Sequence, residues 1–519
     1  MIRKQPVAIS IVCSIALTVW ADPIPVSLDQ NNLRMTYETL AMPGNESMGL
    51  IGLNYQQMFG SYWYGGLGIY GAAAGERGGF FTGGFEGGLR YPLIGGLEAE
   101  GGVFIGGGGG GAAHQGGGLM LRPHVGVTYG NSDIRAGLQL SRIEFPNGEI
   151  RSTQIAGVVD IPFESFRLDG GYGGSLDSLP YDVAGIFQRS LELKEGAFGV
   201  EIQHYTQISD SLKTDGTLLI EPFETVGIRY TNFLSRNVAW YITTAGAMGG
   251  GADGYAEIFA GMGWRYGVLD NIKTKSRVFL NLEGAVGMGG GGEVATGGGA
   301  MGKVSAGLSY QLSPEWSLDA RSGYTQAVDG DFKARTLIFS LNHTLVTLSP
   351  SKGMSVGNIN GETLIRRVWR VRPLHETYIS AQRKSADAEE ISLVGMQIDA
   401  LSSGAGYLYA RALGAYSGGA GGYASGTLGL GVNYPLPLQI PLELYVQAGV
   451  GAGGGGGIDV GTGAIVEVET GVLYKIAPNT DAILGVGTTR SLSDGLETPT
   501  LQLGLSYRFG TFGSRHTSY

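Results

Sequence analysis

Histidine, serine and carboxylate side chains are the first candidates for chemistry, because together they can form a hydrolytic triad. The chain has six histidines, at positions 114, 124, 204, 343, 375 and 516. No His-x-x-His pair, paired cysteines or aspartate-rich spacing that could bind a metal ion occurs. His124 lies on one predicted strand face with Arg122, and we interpret it as a hydrogen-bonded core histidine. The sequence therefore predicts no enzyme, no metal site and no cofactor.

Three glycine runs, at 106–111, 289–292 and 453–457, are candidates for phosphate binding. A phosphate loop also requires a Lys-Ser or Lys-Thr pair and the N-terminus of a helix after the glycines, and neither follows here. We interpret the runs as flexible, closely packed hairpin ends.

Residues 1–21 have the features of a secretory signal peptide. Arg3 and Lys4 form its charged start, a mostly apolar stretch follows at 7–20, and Ala21 ends the cleavage site. Cys13 is the only cysteine and would be removed with the signal, so the mature chain would form no disulfide. The remaining 33 basic and 45 acidic residues argue against nucleic-acid binding. No later segment has the roughly 18 continuous apolar residues of a membrane helix.

Glycine accounts for 93 of the 519 residues, and aromatic residues account for 10%. A glycine-rich disordered chain would have few aromatic residues. The combination therefore indicates β-strands.

A threefold internal repeat organises the chain. Residues 97–105, with the glycine run that follows, recur at 280–288 and at 444–452. Other anchors recur in the same order, among them the tyrosines Tyr91, Tyr266 and Tyr434 before this segment and Tyr129, Tyr310 and Tyr474 after it. No histidine recurs at an equivalent position in all three repeats.

The repeats span residues 34–163, 198–347 and 374–509. Linkers are predicted at 164–197 and 348–373, and a tail at 510–519. Turn signals divide each repeat into about eight segments without helical periodicity, which is typical of an antiparallel meander. In the first repeat these segments start near residues 35, 48, 63, 79, 97, 116, 133 and 151.

Alternate residues of these segments separate into an apolar face and a polar face. Strands of about ten residues with one apolar face are typical of a membrane barrel with lipid outside. A soluble β-sandwich gives the same alternation. The predicted inward charges of the first repeat, which could neutralise one another, are Glu86, Arg90, Glu98, Glu100 and Arg122.

The last predicted strand favours the membrane barrel. Residues 502–509 resemble the closing-strand signal of bacterial outer-membrane β-barrels, with Gln502, Gly504, Tyr507 and Phe509 at its characteristic positions. The resemblance covers eight residues, and ten more follow Phe509. It implies an all-β antiparallel transmembrane barrel in the outer membrane of a Gram-negative-type bacterium. Outer-membrane lipid and the outer-membrane assembly machinery are the implied partners.

Two arrangements of about 24 strands are open. Three tandem eight-stranded barrels are favoured, because the inward faces mix glycine with large side chains that would fill a narrow interior. These side chains are Tyr64, Tyr70, Phe80, Phe104 and Met120. One 24-stranded barrel is the alternative, because only the third repeat carries the full closing signal.

The function depends on this choice. Packed barrels predict a non-enzymatic structural, surface-interaction or envelope-assembly role. One wide barrel predicts a pore for solutes, polysaccharide or polypeptide, and a secreted β-sandwich adhesin is a third alternative. Four arginines in the second linker could dock an anionic periplasmic or cell-wall partner, or could belong to a solubilising linker or the start of a strand: Arg366, Arg367, Arg370 and Arg372.

Overall fold

A computed structural model describes residues 26–169, 190–208, 211–268, 277–351, 364–402, 404–437 and 440–514. The predicted signal peptide, with Cys13, lies outside the described residues. The described chain forms 24 β-strands and one short 3-10 helix, Pro43–Asn45. No helix in these ranges is long and apolar enough to cross a membrane.

Each repeat contributes eight strands. The first repeat contains β1 (Val26–Ala41), β2 (Ser47–Phe59), β3 (Trp63–Ala74), β4 (Phe81–Pro92), β5 (Leu97–Gly109), β6 (Met120–Gly130), β7 (Arg135–Glu144) and β8 (Arg151–Asp169). The second contains β9 (Ser190–Gln207), β10 (Phe223–Phe233), β11 (Val238–Gly250), β12 (Ala256–Gly267), β13 (Val278–Gly290), β14 (Ala300–Gln311), β15 (Trp316–Ala327) and β16 (Lys333–Ser351). The third contains β17 (Leu364–Ala381), β18 (Glu389–Leu401), β19 (Gly406–Ser417), β20 (Ala424–Pro435), β21 (Leu442–Gly454), β22 (Ala464–Ala477), β23 (Thr480–Ser491) and β24 (Glu497–Ser514).

Hydrogen bonds join all 24 strands into one antiparallel sheet. Within it, β1 pairs with β8 from Val26↔Leu168 to Tyr37↔Gly157. In the same way β9 pairs with β16 and β17 pairs with β24. The pairing therefore returns to its first strand after every eight strands, and we call the three closed circuits ring 1, ring 2 and ring 3. The predicted all-β antiparallel barrel fold with about 24 strands is confirmed.

The repeat boundaries differ from the prediction at their ends. The first strand begins at Val26, and the strands beside the predicted linkers extend to Asp169 and Ser351 and begin again at Ser190 and Leu364. The other strand starts of the first repeat lie within four residues of their predicted positions. Inward and outward side chains continue to alternate through these extensions. The extensions contain few glycines, so the sequence has no turn signal that marks where strand pairing stops.

Outward side chains are mostly apolar, whereas inward side chains include buried polar groups and, in each ring, a buried apolar cluster. Outward residues such as Leu138 and Ile155 are more than half exposed, whereas the neighbouring inward Gln139 is 1% exposed. Soluble proteins have the reverse distribution. An apolar outer surface with the buried polar and charged side chains turned inward is the pattern of barrels that face lipid.

An aromatic belt surrounds one end of the rings. We call this the terminal end, because β1 begins and β24 finishes there, and the opposite end the loop end. The belt consists of exposed aromatic residues near strand ends: Trp63, Tyr91, Tyr129, Trp264, Tyr266, Tyr310, Trp316, Tyr434 and Tyr474. Six of these are the tyrosine anchors of the repeat. Aromatic side chains at such a level are typical of the boundary between hydrocarbon and headgroups.

The three rings meet at the terminal end through extended strands. β24 continues past Phe509 and pairs briefly with β8 at Gly510↔Leu168 and with β16 at Thr347↔Gly513. Phe512 of ring 3 is buried there in an apolar cluster with Val26, Phe166 and Leu168 of ring 1 and Leu348 of ring 2. The prediction of a tail from residue 510 is therefore wrong for 510–514, which form part of a strand that joins the rings.

The glycine runs join the rings at the loop end. A Cβ on Gly254 would lie 3.0 Å from the backbone nitrogen of Gly455, and one on Gly422 would lie 2.8 Å from that of Gly110. The equivalent contact of Gly79 with Gly291 leaves no room for a Cβ. We call these three pairs the glycine contacts. Each joins the β3–β4-type turn of one ring to the glycine run of another, in the order ring 1 to ring 2, ring 2 to ring 3, and ring 3 to ring 1.

Hydrogen bonds and an ion pair accompany the glycine contacts. The Gly78 amide donates to the Gly297 carbonyl at 2.8 Å, and the Gly422 amide donates to the Gly108 carbonyl at 3.1 Å. Between rings 2 and 3, Lys384 Nζ lies 2.6 Å from Asp253 Oδ2. Burial raises the pKa of the Asp253 carboxyl, and the Lys384 ammonium opposes the rise. The runs therefore act as close-packed joints between rings.

We expect Gly79→Ala to destabilise the protein more than Gly44→Ala. Both glycines have φ near +80°, but a Cβ on Gly44 has nothing within 4 Å. The shared backbone strain costs about 1–2 kcal/mol, and overpacking at Gly79 adds about 1–3 kcal/mol. Urea unfolding in lipid vesicles, followed by tryptophan fluorescence, measures the difference. Equal losses for the two variants would contradict the contact.

Candidate functional site: the ring interiors

The interior of ring 1 contains a buried arginine between two carboxylates. Arg34 of β1 donates to Asp160 from Nε and Nη2, both at 2.7 Å, and to Glu100 at 2.5 and 2.7 Å. Arg90 approaches Glu100 at 3.5 Å. Strand alternation turns all four side chains inward. Sequence reasoning found Glu100 and Arg90 but missed Arg34 and Asp160, which the inward positions of β1 and β8 could have indicated.

A second cluster lies nearer the loop end of ring 1. Arg122 Nε donates to Glu38 at 2.7 Å. His124 Nε2 lies 3.1 Å from the Tyr64 hydroxyl and 3.6 Å from Glu86. His124 is 3% exposed, which agrees with its interpretation as a core histidine.

The structure places four of the five predicted inward charges of ring 1 in these clusters. Glu86 and Arg122 belong to the second, and Arg90 and Glu100 to the first. Glu98 is only half-buried near the terminal end, where Arg135 donates to it at 2.7 Å.

Ring 2 repeats this arrangement with different residues. Arg229 donates to Glu283 at 2.8 and 3.1 Å, and Arg321 pairs with both Glu283 and Glu201. Nearer the loop end, Lys303 Nζ donates at 2.8 Å to Glu257. Every charged group named here has an opposite charge beside it, as a low-dielectric interior requires.

Ring 3 encloses two of the four arginines that were predicted to dock a partner. Arg370 and Arg372 donate from Nε to the same Asp399 oxygen at 2.5 and 2.7 Å, and neither is exposed. Their placement in a linker is wrong, because β17 begins at Leu364 and alternation turns both side chains inward. Because both side chains are buried, they cannot contact an external partner.

The other two arginines lie near the start of the same strand. Arg366 and Arg367 are partly buried at the terminal end, and Arg367 Nη1 donates to the Val346 carbonyl at 2.6 Å.

A further cluster in ring 3 surrounds Arg411. Its guanidinium donates to Glu376 at 2.9 Å and to Glu469 at 2.6 Å. Gln502 of the closing-strand signal donates to the same Glu469 at 3.2 Å. Within the signal, Gln502 therefore faces the interior.

The other residues of the signal lie along β24. Gly504 packs against β17, where a Cβ would meet the Pro373 carbonyl at 2.6 Å. Tyr507 and Phe509 stack on the outer face with ring centroids 6.3 Å apart.

A small cavity of about 80 Å³ opens at the terminal end of ring 2. Among the residues that line it are Glu195, Arg265 and Asp319. Register places Gly199 of ring 2 where rings 1 and 3 have Arg34 and Arg372. Gly199 itself does not line the cavity, because the Asn342 side chain fills the space beside it. Arg229 and Glu283 line the cavity on the side toward the loop end.

The interiors thus offer paired charges and little free space. Among the described residues, no group of three or more histidine, cysteine, aspartate or glutamate side chains is arranged to hold a metal ion. The chemical effect of the networks is to neutralise charge and fill the rings.

No protein-family model and no curated protein matches the chain. Solved structures that align with it include OccK11 (OpdR) of Pseudomonas aeruginosa, with 13% identity over 93% of this chain and 96% of that one, at a TM-score of 0.21. The outer membrane protein OpdK of the same organism aligns with 12% identity over 93% and 98%, also at 0.21. The ferric enterobactin receptor PfeA, also of Pseudomonas aeruginosa, aligns with 9% identity over 93% and 81%, at 0.27.

We expect Arg122→Ala to lower the free energy of unfolding by about 3–5 kcal/mol, because it leaves buried Glu38 without its cation. The control is Arg142→Ala on β7, whose pair with Glu144 is exposed and should contribute about 0–1 kcal/mol. Urea unfolding of both variants in vesicles tests this. A loss for Arg122→Ala no larger than that for the control would exclude a buried network.

We expect Phe509→Ala to impair assembly and Phe512→Ala to lower the stability of the folded protein. If the closing-strand signal acts in assembly, Phe509→Ala reduces the fraction of heat-modifiable folded protein in bacterial outer membranes. Phe512→Ala removes a 1%-exposed ring from the terminal-end cluster and should destabilise the folded protein by about 3–5 kcal/mol. Normal assembly of the Phe509→Ala protein would show that assembly does not depend on the closing-strand signal.

Proposed function

We propose that this protein lies in the outer membrane of a Gram-negative-type bacterium, where its three rings act as three narrow, closed barrels. Its proposed role is structural, in surface interaction or in envelope assembly. The observation that carries the proposal is the filling of all three interiors by fully buried arginines: Arg34, Arg122, Arg321, Arg370 and Arg372. A solute would have to break their ion pairs to pass, and breaking a buried pair costs about 3–5 kcal/mol.

The outer surface supports a membrane location. Apolar outward side chains would contact lipid, and the aromatic belt would mark the interface at the terminal end. Both chain ends of the described barrel lie at the terminal end, which we therefore assign to the periplasm. The glycine contacts then lie on the outer side.

Proposed partners follow from this orientation. The assembly machinery would recognise the closing strand from Gln502 to Phe509. An anionic periplasmic or cell-wall partner remains a proposal for Arg366 and Arg367, which are partly exposed at the terminal end.

A transport pore is the second candidate. The observation that favours it is the cavity in ring 2, which has charged residues such as Glu195 and Arg265 in its lining and opens at the terminal end. In a pore, the Arg229–Glu283–Arg321 layer would have to open.

Conductance in a planar bilayer distinguishes the two functions. We expect no large, steady conductance from wild-type protein whose insertion is shown by heat-modifiable mobility. A double variant, Glu201→Ser with Arg321→Ser, removes one positive and one negative charge below the cavity and should conduct more than wild type. Large, steady conductance from the wild type would establish transport and overturn the closed-barrel role.

A further inference from the structure

An apolar groove runs along the outer face of ring 2. Its volume is about 760 Å³, and it opens outward between exposed side chains of β12, β13 and β14: Met262, Val286 and Val304. Gly284 and Gly302 form its floor, and a Cβ on either would have nothing within 4 Å. Tyr324 and Gln326 border it toward β16. We call this the outer groove.

Two cations stand beside the outer groove on β16, in the same register rows as its floor glycines. Register places Lys333 directly opposite Gln326 and Arg335 directly opposite Tyr324. Both side chains are exposed on the outer face, and neither has an ion-pair partner within the described parts of the chain. Below them on β16 the outward residues are apolar, including Leu337 and Phe339. The cations therefore lie where the apolar surface ends.

The nearest outward groups on the other side of β16 do not neutralise these cations. Arg335 pairs in register with Thr206 of β9. The next outward residue of β9, His204, has its Nδ1 2.8 Å from Glu224 of β10. The carboxylate on this side is thus already bound to a histidine.

We propose that the outer groove and this cation pair bind one lipid of the loop-side leaflet whose phosphate headgroup carries a net negative charge. An acyl chain would lie over Gly284 and Gly302, and the phosphate would contact Lys333 and Arg335. Cations at the edge of an apolar surface attract anionic headgroups, and burial of acyl CH₂ groups supplies the apolar part of the affinity. The inference rests on the proposed membrane location.

Rings 1 and 3 lack the site at the equivalent positions. Register places Val103 and Leu121 of ring 1, and Ala448 and Val466 of ring 3, where ring 2 has its two glycines. The residue of ring 1 that is equivalent to Lys333 is Arg151, and its Nε lies 3.5 Å from Glu144. In ring 3 the equivalent residue is Glu497. Only ring 2 combines an open floor with unpaired cations in the described chain.

Ring 1 supplies the substitutions for a test. The groove variant, Gly284→Val with Gly302→Leu, fills the groove with the residues of ring 1. The charge variant, Lys333→Gln with Arg335→Thr, removes both positive charges, and its Arg335→Thr change also copies ring 1. The folded full-length protein is incubated in detergent with phosphatidylglycerol or phosphatidylcholine, and native mass spectrometry counts the lipids retained. Arg151→Gln in ring 1 is the matched control.

We expect the wild type and Arg151→Gln to retain one phosphatidylglycerol, in roughly tenfold preference to phosphatidylcholine. The charge variant should lose this preference, and the groove variant should lose retention of both lipids. Excess inorganic phosphate should not displace the lipid, because it has no acyl chain; displacement would indicate a free-phosphate site instead.

A preference unchanged in the charge variant, or retention unchanged in the groove variant, would overturn the lipid site while the proposed function stands. Failure of the wild type to insert into lipid vesicles would instead overturn the proposed function.

Discussion

The pairing of the first and last strands of each repeat is the constraint on which the rest of the structure depends. Eight strands that close on themselves leave no backbone edge unpaired, and an unpaired edge cannot face hydrocarbon. Closure at eight also fixes a narrow interior, which side chains must fill. The inward positions then have to carry large polar groups beside glycine, and every inward charge needs a counter-charge within reach. Arg34 between Glu100 and Asp160, and Arg411 between Glu376 and Glu469, satisfy this requirement in rings 1 and 3.

The same constraint explains where glycine is concentrated. Where two rings meet side by side, their backbones can come into direct contact only if outward side chains are absent. The glycine contacts meet this condition at the loop end, and extended strands with an apolar cluster join the rings at the terminal end. The three rings are thus held at both ends.

Much of this could be predicted from the sequence, because strand alternation and repetition are local signals. They located the repeats and the inward positions of Tyr64, Phe104 and Arg122. They did not align β5 correctly with the equivalent strands of the other repeats. The sequence match aligns Glu100 with Glu283. In the structure Glu100 lies opposite Arg90 and Asn281 lies opposite Arg265, so that Glu100 corresponds to Asn281, two residues away. A shift of two preserves the face of every side chain, so alternation cannot detect it. The third repeat is recognisable only from residue 374, which leaves Arg370 and Arg372 in the preceding linker. A partner such as Asp399 becomes visible only when neighbouring strands are paired.

The cyclic order of the glycine contacts has a consequence for how this molecule can diversify. Each ring contributes its β3–β4-type turn to one glycine contact and its glycine run to another. The same geometry would therefore suit three identical subunits. A homotrimer, however, carries every sequence change three times. Fusion into one chain fixes the stoichiometry and frees each ring to vary alone, as the replacement of Arg34 and Arg372 by Gly199 in ring 2 illustrates. Two rings can therefore preserve the assembly while the third acquires a specialised surface.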